Sequence, residues 1–512
     1  MTDFDYIIIG AGAAGCVLAN RLVTLGDARV ALLEAGPVDS NPAIHAADIG
    51  SMTSMWGPCE QNWGFQTTAQ GGMHGRKVDI AQGRGLGGGT AINAMMYVRG
   101  NPRDFDRWAD MGATGWSYAE VLPYFRRSES YSEGEDAYRG REGGLRVIDL
   151  AKTSTAAAAF LAATRALGLS ADEVDFNGAR QEDNAFLYQS TRLDEARRCS
   201  TATAFLDPLR DDPRLTVITG AQATRVVIEE GHAVGVEYVS DGETHHVYAS
   251  REVILSAGAF LSPHLLMLSG IGPADVLRAH GIAVVADVPG VGQNLHDHLL
   301  LPVAYRAVDP LDAPQLLSEA GLFTYSGVFD RELNSPDLQF FFGPIQYADP
   351  QYVDGGPGFT FVPILAQPRS RGTVTLASAD PMQKPLVDPA YLSDPKDVEV
   401  LLRGVRIARQ LARDTAFDAL RDHELAPGAA VESDDALEAY VRASASTVWH
   451  PVGTCRMGAP DDAAAVVDPA LRVRGVKGLR VADASVMPMI TAGNTNAAAI
   501  MIGDKAADLI LN

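Results

Sequence analysis

Gly10, Gly12 and Gly15 stand in a GxGxxG spacing, directly after an apolar run and at the start of an apolar helical segment. Each has a task there: the first allows a tight turn, the second lets a pyrophosphate reach the backbone, and the third lets helix and strand pack closely. Ala13 and Ala14 fill the first helical turn, whose amides and positive dipole end attract phosphate. Glu34, followed by Ala35, ends the next strand, where a carboxylate can accept both ribose hydroxyls and would repel a 2′-phosphate. The chemistry is the holding of a dinucleotide, with FAD and NAD both open on this motif alone. A second run, Gly83-Arg-Gly-Leu-Gly-Gly-Gly-Thr-Ala-Ile-Asn93, suggests a backbone of little bulk pressed against a flat ligand, with amides free to donate.

Such residues need a strand–turn–helix–strand unit to hold them. Residues 3–9 and 29–34 read as short buried strands flanking a helix over Ala14–Leu25. A hairpin-like region is expected at 215–255, from LTVITG through TRVVIEE and AVGVEYV to REVILSAG. Strands are expected at Leu338–Phe342 and Gly372–Leu376, helices at 395–414 and 434–444, then the strand GLRVADAS and a last helix from Asn496 to Leu511. With 512 residues, the chain is too long for one typical core, so two intimately joined domains are expected.

Composition excludes several functions. A formal charge of −22 argues against nucleic acid and anionic membranes as partners. No stretch approaches the roughly 20 apolar residues of a membrane span, and the opening MTDFDYIIIGAGAAG lacks a basic leader, so a cytoplasmic location is expected. Cys16, Cys59, Cys199 and Cys455 are scattered without a CxxC pair, which speaks against a disulfide framework or zinc site. His296-Asp297-His298 has no third ligand cluster to make it a metal site, so no metal is expected.

The run from Gly83 through Asn93, Met95, Met96, Tyr97 and Gly100 to Asp106 resembles the first signature of the glucose–methanol–choline (GMC) oxidoreductases. Gly258-Ala-Phe-Leu-Ser-Pro-His-Leu-Leu-Met-Leu-Ser-Gly-Ile-Gly272 resembles their second, about 175 residues further on. The resemblance implies an α/β chain: a Rossmann-like, glutathione-reductase-like FAD-binding domain with a second, α+β substrate domain on an antiparallel sheet. It implies FAD binding by 1–298, with excursions into the substrate domain near 155–195, substrate binding by 299–454, and a return to the FAD domain over 455–512. The isoalloxazine is expected near Gly87–Asn93, with FAD contacts from Arg84, Gly87, Gly88, Gly89, Thr90, Asn93, Ala94, Met95, Val226, Ala257, Asp483, Ala484, Asn494 and Thr495. Some relatives attach FAD to a histidine just before the asparagine; Ile92 stands there and offers no nucleophile, so FAD is expected to be non-covalent.

The same resemblance carries the family's active-site histidine to His450, in Trp449-His450-Pro451, and its partner to Asn494, in Gly493-Asn494-Thr495-Asn496. Hydride leaves an alcohol carbon readily only as the oxygen loses its proton, and histidine is the efficient base near neutrality. A neutral amide can hold the oxygen without competing for that proton, while flavin N5 accepts the hydride. His296 and His298 read as structural, since i,i+2 spacing does not share a helix face. Trp63, Met95, Phe341 and Trp449 are expected in the substrate pocket, which residues 301–400, with Tyr305, Tyr325, Phe340, Phe342, Tyr347, Phe359 and Phe361, are expected to cover and shape. The substrate is read as a primary alcohol, aromatic or aliphatic, with sugars or polyols as the alternative. Choline is disfavoured because Arg306 occupies the stretch where choline-oxidising relatives carry an acid. Val448 tilts the electron acceptor towards oxygen over a quinone or artificial acceptor. A FAD-containing lyase and an NAD-linked dehydrogenase are the competing readings, and a homodimer is left open.

Overall fold

Phe4–Ile9 is apolar at nearly every position, and a strand enclosed on both faces belongs inside a parallel sheet. In the computed structural model, which describes residues 4–170 and 175–512, β1 (Phe4–Ile9) is central and Ile7 and Ile8 are fully enclosed. Asp3, at the start of the first expected strand, lies outside the described residues. The chain turns at Gly10, runs through α1 (Ala13–Gly26) and returns parallel as β2 (Val30–Leu33), with Tyr6 opposite Val30 and Ile9 opposite Leu33. β3 (Leu215–Ile218) continues the parallel sheet on the far side of β2. Next come β4 (Gln222–Glu229), β5 (His232–Ser240) and β6 (Glu243–Leu255), an antiparallel meander. β6 serves two neighbourhoods: its first half pairs with β5 and its second half runs parallel to β1. α2 (Gly258–Leu268) follows it. Near the end of the chain β7 (Leu479–Val481) adds to β6, and α3 (Asn496–Leu511) lies on α1. That contact is close, since a Cβ on Gly503 would come within 2.4 Å of Ala14 O.

The expected hairpin at 215–255 is therefore corrected in one part. Residues 215–218 leave it to cover the edge of β2, whose four buried residues would otherwise expose unpaired backbone in an enclosed sheet.

Among the described residues, eight strands form a second, antiparallel sheet. Its main path runs from Arg421–Ala426 through Val303–Ala307, Gly358–Leu365, Leu338–Gly343 and Ala320–Thr324 to Asn184–Leu187. Helices Thr155–Ala166 and Pro395–Ala412 cover one face, where Phe160, Val398 and Leu401 meet Phe340, Phe359 and Phe361. Side chains alternate across a strand, so Phe341 points to the opposite face, towards a cavity. The Gly372–Leu376 candidate is a three-residue strand, Thr373–Thr375. Among the described residues no helix is long and apolar enough to cross a membrane.

Candidate active site

The turn after β1 and the glycine run meet at the carboxyl end of the parallel strands. Gly10, at φ +101°, makes the turn, and a Cβ on Gly15 would lie 2.0 Å from Gly10 O. Gly12 differs: a Cβ there would meet nothing closer than Ser256 O at 4.0 Å. Gly89 and Gly258 likewise face open space, with no atom within 4 Å of an added Cβ. These three glycines lie on the wall of one cavity of about 330 Å³.

Gly10, Gly12, Ala13, Ala14, Glu34, Ala35, Gly88, Gly89, Asn93, Ala94, Met95, Ala257, Asp483, Ala484, Asn494 and Thr495 all stand on that wall. So do Trp63, Phe341, Trp449 and His450. Five expected contacts stand behind it. Gly15 packs under the turn, and Gly87 N donates to Ala11 O at 2.8 Å, tying the glycine run to β1. Thr90 Oγ1 braces the same run through Gly87 O and Thr201 Oγ1. Arg84 donates to Ala35 O at 3.0 Å and lies over the Trp63 ring. Val226 N donates to Ser269 Oγ, and Ala221, Gln222 and Ala223 line the cavity in its place.

The wall suits a long dinucleotide. α1 and α3 both present starts without side-chain caps, at Gly12 and Thr495, to the cavity, and such ends offer free amides and a positive dipole. Glu34 takes Ala11 N, Gly36 N and Gly85 N at 2.8–2.9 Å. Three bonds leave a carboxylate one of its roughly four acceptor positions. Asp483 accepts from Gly258 N, Ser262 Oγ and Ser485 N and so locks the start of α2. Burial raises the pKa of both acids. His264 also lines the cavity, enclosed and with Nε2 unpartnered, and burial pushes it down to about 4. Ile92 lies on the wall where a covalent link would need a nucleophile.

The catalytic pair comes from two segments of the chain and is held by others far from both in sequence. His450 and Asn494 face each other, with Nε2 and Nδ2 3.5 Å apart. Behind His450, its Nδ1 lies 3.0 Å from His298 Nδ1, and His298 Nε2 lies 3.0 Å from Ala366 O. A carbonyl can only accept, so His298 carries its proton on Nε2. Burial pushes His298 down to about 4, so this ring is neutral and its Nδ1 accepts. His450 must then donate from Nδ1, which leaves the Nε2 lone pair towards Asn494. Burial, with His298 beside it, also holds His450 well below the usual histidine range. Asn494 Oδ1 accepts from Gln339 Nε2 at 3.2 Å, and Gln339 also donates to Tyr188 Oη. Its Nδ2 is thereby turned to the cavity. The result is a chain of hydrogen bonds with one polarity, anchored on Ala366 O.

Asp297 fixes the backbone that carries His450: its carboxylate accepts His450 N at 2.8 Å, Thr447 Oγ1 at 2.5 Å and the Tyr391 hydroxyl. Burial lifts Asp297 to about 6. The structural reading of His298 is thus corrected, because 296–298 is extended alongside 447–452 rather than helical. In an extended segment i and i+1 face opposite ways, so Asp297 and His298 grip His450 from different sides. His296 is enclosed with both ring nitrogens unpartnered, and its backbone exchanges hydrogen bonds with Val452, which fixes the register of this segment.

Beside this pair the wall is apolar. Leu300, Val362, Phe341, Tyr347 and Val448 form one cluster, and Trp56 meets Trp449 edge-on at 4.8 Å. Tyr305, Phe340, Phe342, Phe359 and Phe361 are packed in the sheet core, with Phe342 also bordering the cavity; Tyr325 lies under Arg331, and Tyr347 reaches the cavity. Arg306 pairs with Asp354 at 2.7 Å away from the wall, so its charge is no argument against choline. The missed residues Trp56, Leu300 and Val362 carry no chemical signature; only alternation on their strands marks the last two.

Two models of the GMC oxidoreductase family match residues 4–300 and 368–503. The chain is 42% identical to a Pseudomonas putida protein named alcohol dehydrogenase [acceptor], over 99% of this chain and 96% of the other. It is 41% identical to human mitochondrial choline dehydrogenase, over 99% of this chain and 90% of the other. Pyridoxine 4-oxidase from Mesorbium loti superposes with a TM-score of 0.91 at 33% identity, covering 98% of each chain. The chain belongs to the GMC oxidoreductase family, FAD-dependent enzymes acting on CH–OH groups. Its FAD-binding domain and antiparallel second sheet are those expected from sequence.

Proposed function

We propose that the protein oxidises an uncharged primary alcohol, aromatic or aliphatic, to its carbonyl compound. Residues 1–298 and 455–512 hold FAD, and 299–454 shape the substrate end, with 155–195 contributing to the second sheet. FAD, held by Gly12, Glu34, Gly89, Ala257, Asp483 and Thr495, supplies the hydride acceptor. His450 Nε2 takes the hydroxyl proton, and Asn494 Nδ2 holds the oxygen as negative charge grows on it. Leu300, Val362 and Phe341 exclude water from the same section, which strengthens both interactions.

One observation carries the reading: an acceptor nitrogen and a donor amide share the cavity wall 3.5 Å apart, and neighbours fix the polarity of each. The preference for an uncharged substrate rests on the carboxylates of that wall. Among the described residues these are Glu34 and Asp483, each already holding three donors. A second reading, a quaternary ammonium alcohol held by aromatic faces, is favoured by Trp56, Trp63 and Trp449 on the wall and by the choline dehydrogenase relatives. Molecular oxygen as the electron acceptor rests on the family resemblance carried by Val448, which stands on the wall two residues before His450, and on the pyridoxine 4-oxidase likeness.

Anaerobic mixing of the yellow protein with benzyl alcohol, hexanol and choline separates these. Bleaching by the first two and not by choline is expected, with peroxide formed on admitting air. Bleaching by choline alone would replace the first reading with the second, and no bleaching by any alcohol would sink both.

A further inference from the structure

Among the described residues three arginines are fully enclosed, and one of them meets no anion there. Arg99 and Arg139 each meet Glu129 at 2.6 Å. Arg198 meets only oxygens of neutral groups: Nη1 donates to Asn93 O and Asn93 Oδ1 at 2.7 Å and to Thr90 O at 3.2 Å. Its Nε and Nη2 have no partner, and among the described residues no carboxylate lies within ion-pair distance. Arg192, bridged to it through the backbone, adds a like charge and itself donates to the carbonyls of Glu195 and Gln315. Buried charges are ordinarily paired, so this one stands out.

Asn93 links it to the cavity. The asparagine stands on the wall, and its Oδ1 is occupied by Arg198 and by Met95 N, which leaves its Nδ2 free of both. We propose that Arg198 is a built-in positive charge that favours electron density in the section of the cavity beside Asn93. It is a positioning residue acting through Asn93 and through its field. Resting on the reading that the flavin ring lies against the glycine run, this assigns Arg198 to setting the reduction potential of the bound cofactor. An unpaired cation in a low-dielectric interior interacts more strongly with a negatively charged ring than with a neutral one. By linkage, a charge that prefers the reduced form raises the potential.

The test uses holoenzyme and two readouts besides activity: the midpoint potential by dye equilibration, and the affinity for sulfite, which places negative charge on the oxidised ring. Arg198→Gln keeps a donor for the carbonyls and removes the charge. At least a tenfold weaker sulfite affinity is expected, with a tenfold lower equilibrium constant for reduction, about 30 mV for a two-electron couple. Arg198→Lys should recover most of both. Values for Arg198→Gln within twofold of the parent, with FAD retained, would overturn the proposal. If Arg198→Gln fails to fold, Arg198→Lys decides, because an enclosed lysine loses its charge below its usual pKa of about 10.4. Its potential should then show a break at lower pH than the parent's, where burial pushes Arg198 itself down to about 9, and coincident profiles up to pH 9 would overturn the proposal. Asn494→Ala holoenzyme is titrated alongside. If it moves sulfite affinity and Arg198→Gln does not, only this inference falls; if neither moves, the placement of the ring falls with it.

Discussion

The cavity has two kinds of wall. One is backbone: Gly12, Gly89, Gly258 and the uncapped starts of α1 and α3, set side by side by tight packing. The other is side chain: His450 and Asn494, backed by His298 and Gln339, the four brought from distant segments and oriented by hydrogen bonds. The first offers amides and space and therefore holds a ligand. The second offers a lone pair and a donor of fixed polarity and therefore moves a proton. Binding and chemistry should accordingly be separable by mutation.

Asn494→Ala is expected to slow flavin reduction by about 100-fold, the usual cost of losing one preorganised donor, while FAD stays bound. Isolation of colourless apoprotein would blur the distinction between the walls. Glu34→Ala leaves Ala11 N, Gly36 N and Gly85 N without their acceptor. Release of FAD on dialysis against salt should rise about tenfold, with the reduction step unchanged in protein that keeps its cofactor. A slowed chemical step would mean that the backbone wall also shapes the reaction. The smallest effect is expected from Gln339→Leu, which frees the Asn494 amide to turn: reduction slowed a few-fold, in the range of one lost hydrogen bond to a neutral group. It should appear in kcat more than in KM, and a pure KM change would show that Gln339 merely fills space.

The backbone wall was legible because its motif is local. Fifteen residues contain the turn, the phosphate-facing glycine and the packing glycine, and periodicity places strand and helix around them. Of the side-chain wall, His450 and Asn494 could be placed by family resemblance, but their supports could not. Helical spacing reads His298 as structural, whereas its segment is extended and alternate residues share a face. Gln339 lies in LQFFFG, and alternation puts it on the side of Phe341, opposite Phe340. An enclosed glutamine facing the pocket side of a strand was the available signal. Val226 shows the reverse case: it lies on the expected strand, but its N–H donates to Ser269 Oγ, and Ala221, Gln222 and Ala223 line the cavity.

Stopped-flow reduction of His450→Ala under anaerobic conditions bears most directly on this division of labour. The variant should purify yellow, with FAD affinity near that of the parent, and reduce at least 100-fold more slowly with the best alcohol, as the loss of a general base requires. Reduction within a few-fold of the parent rate would show that the proton leaves by another route.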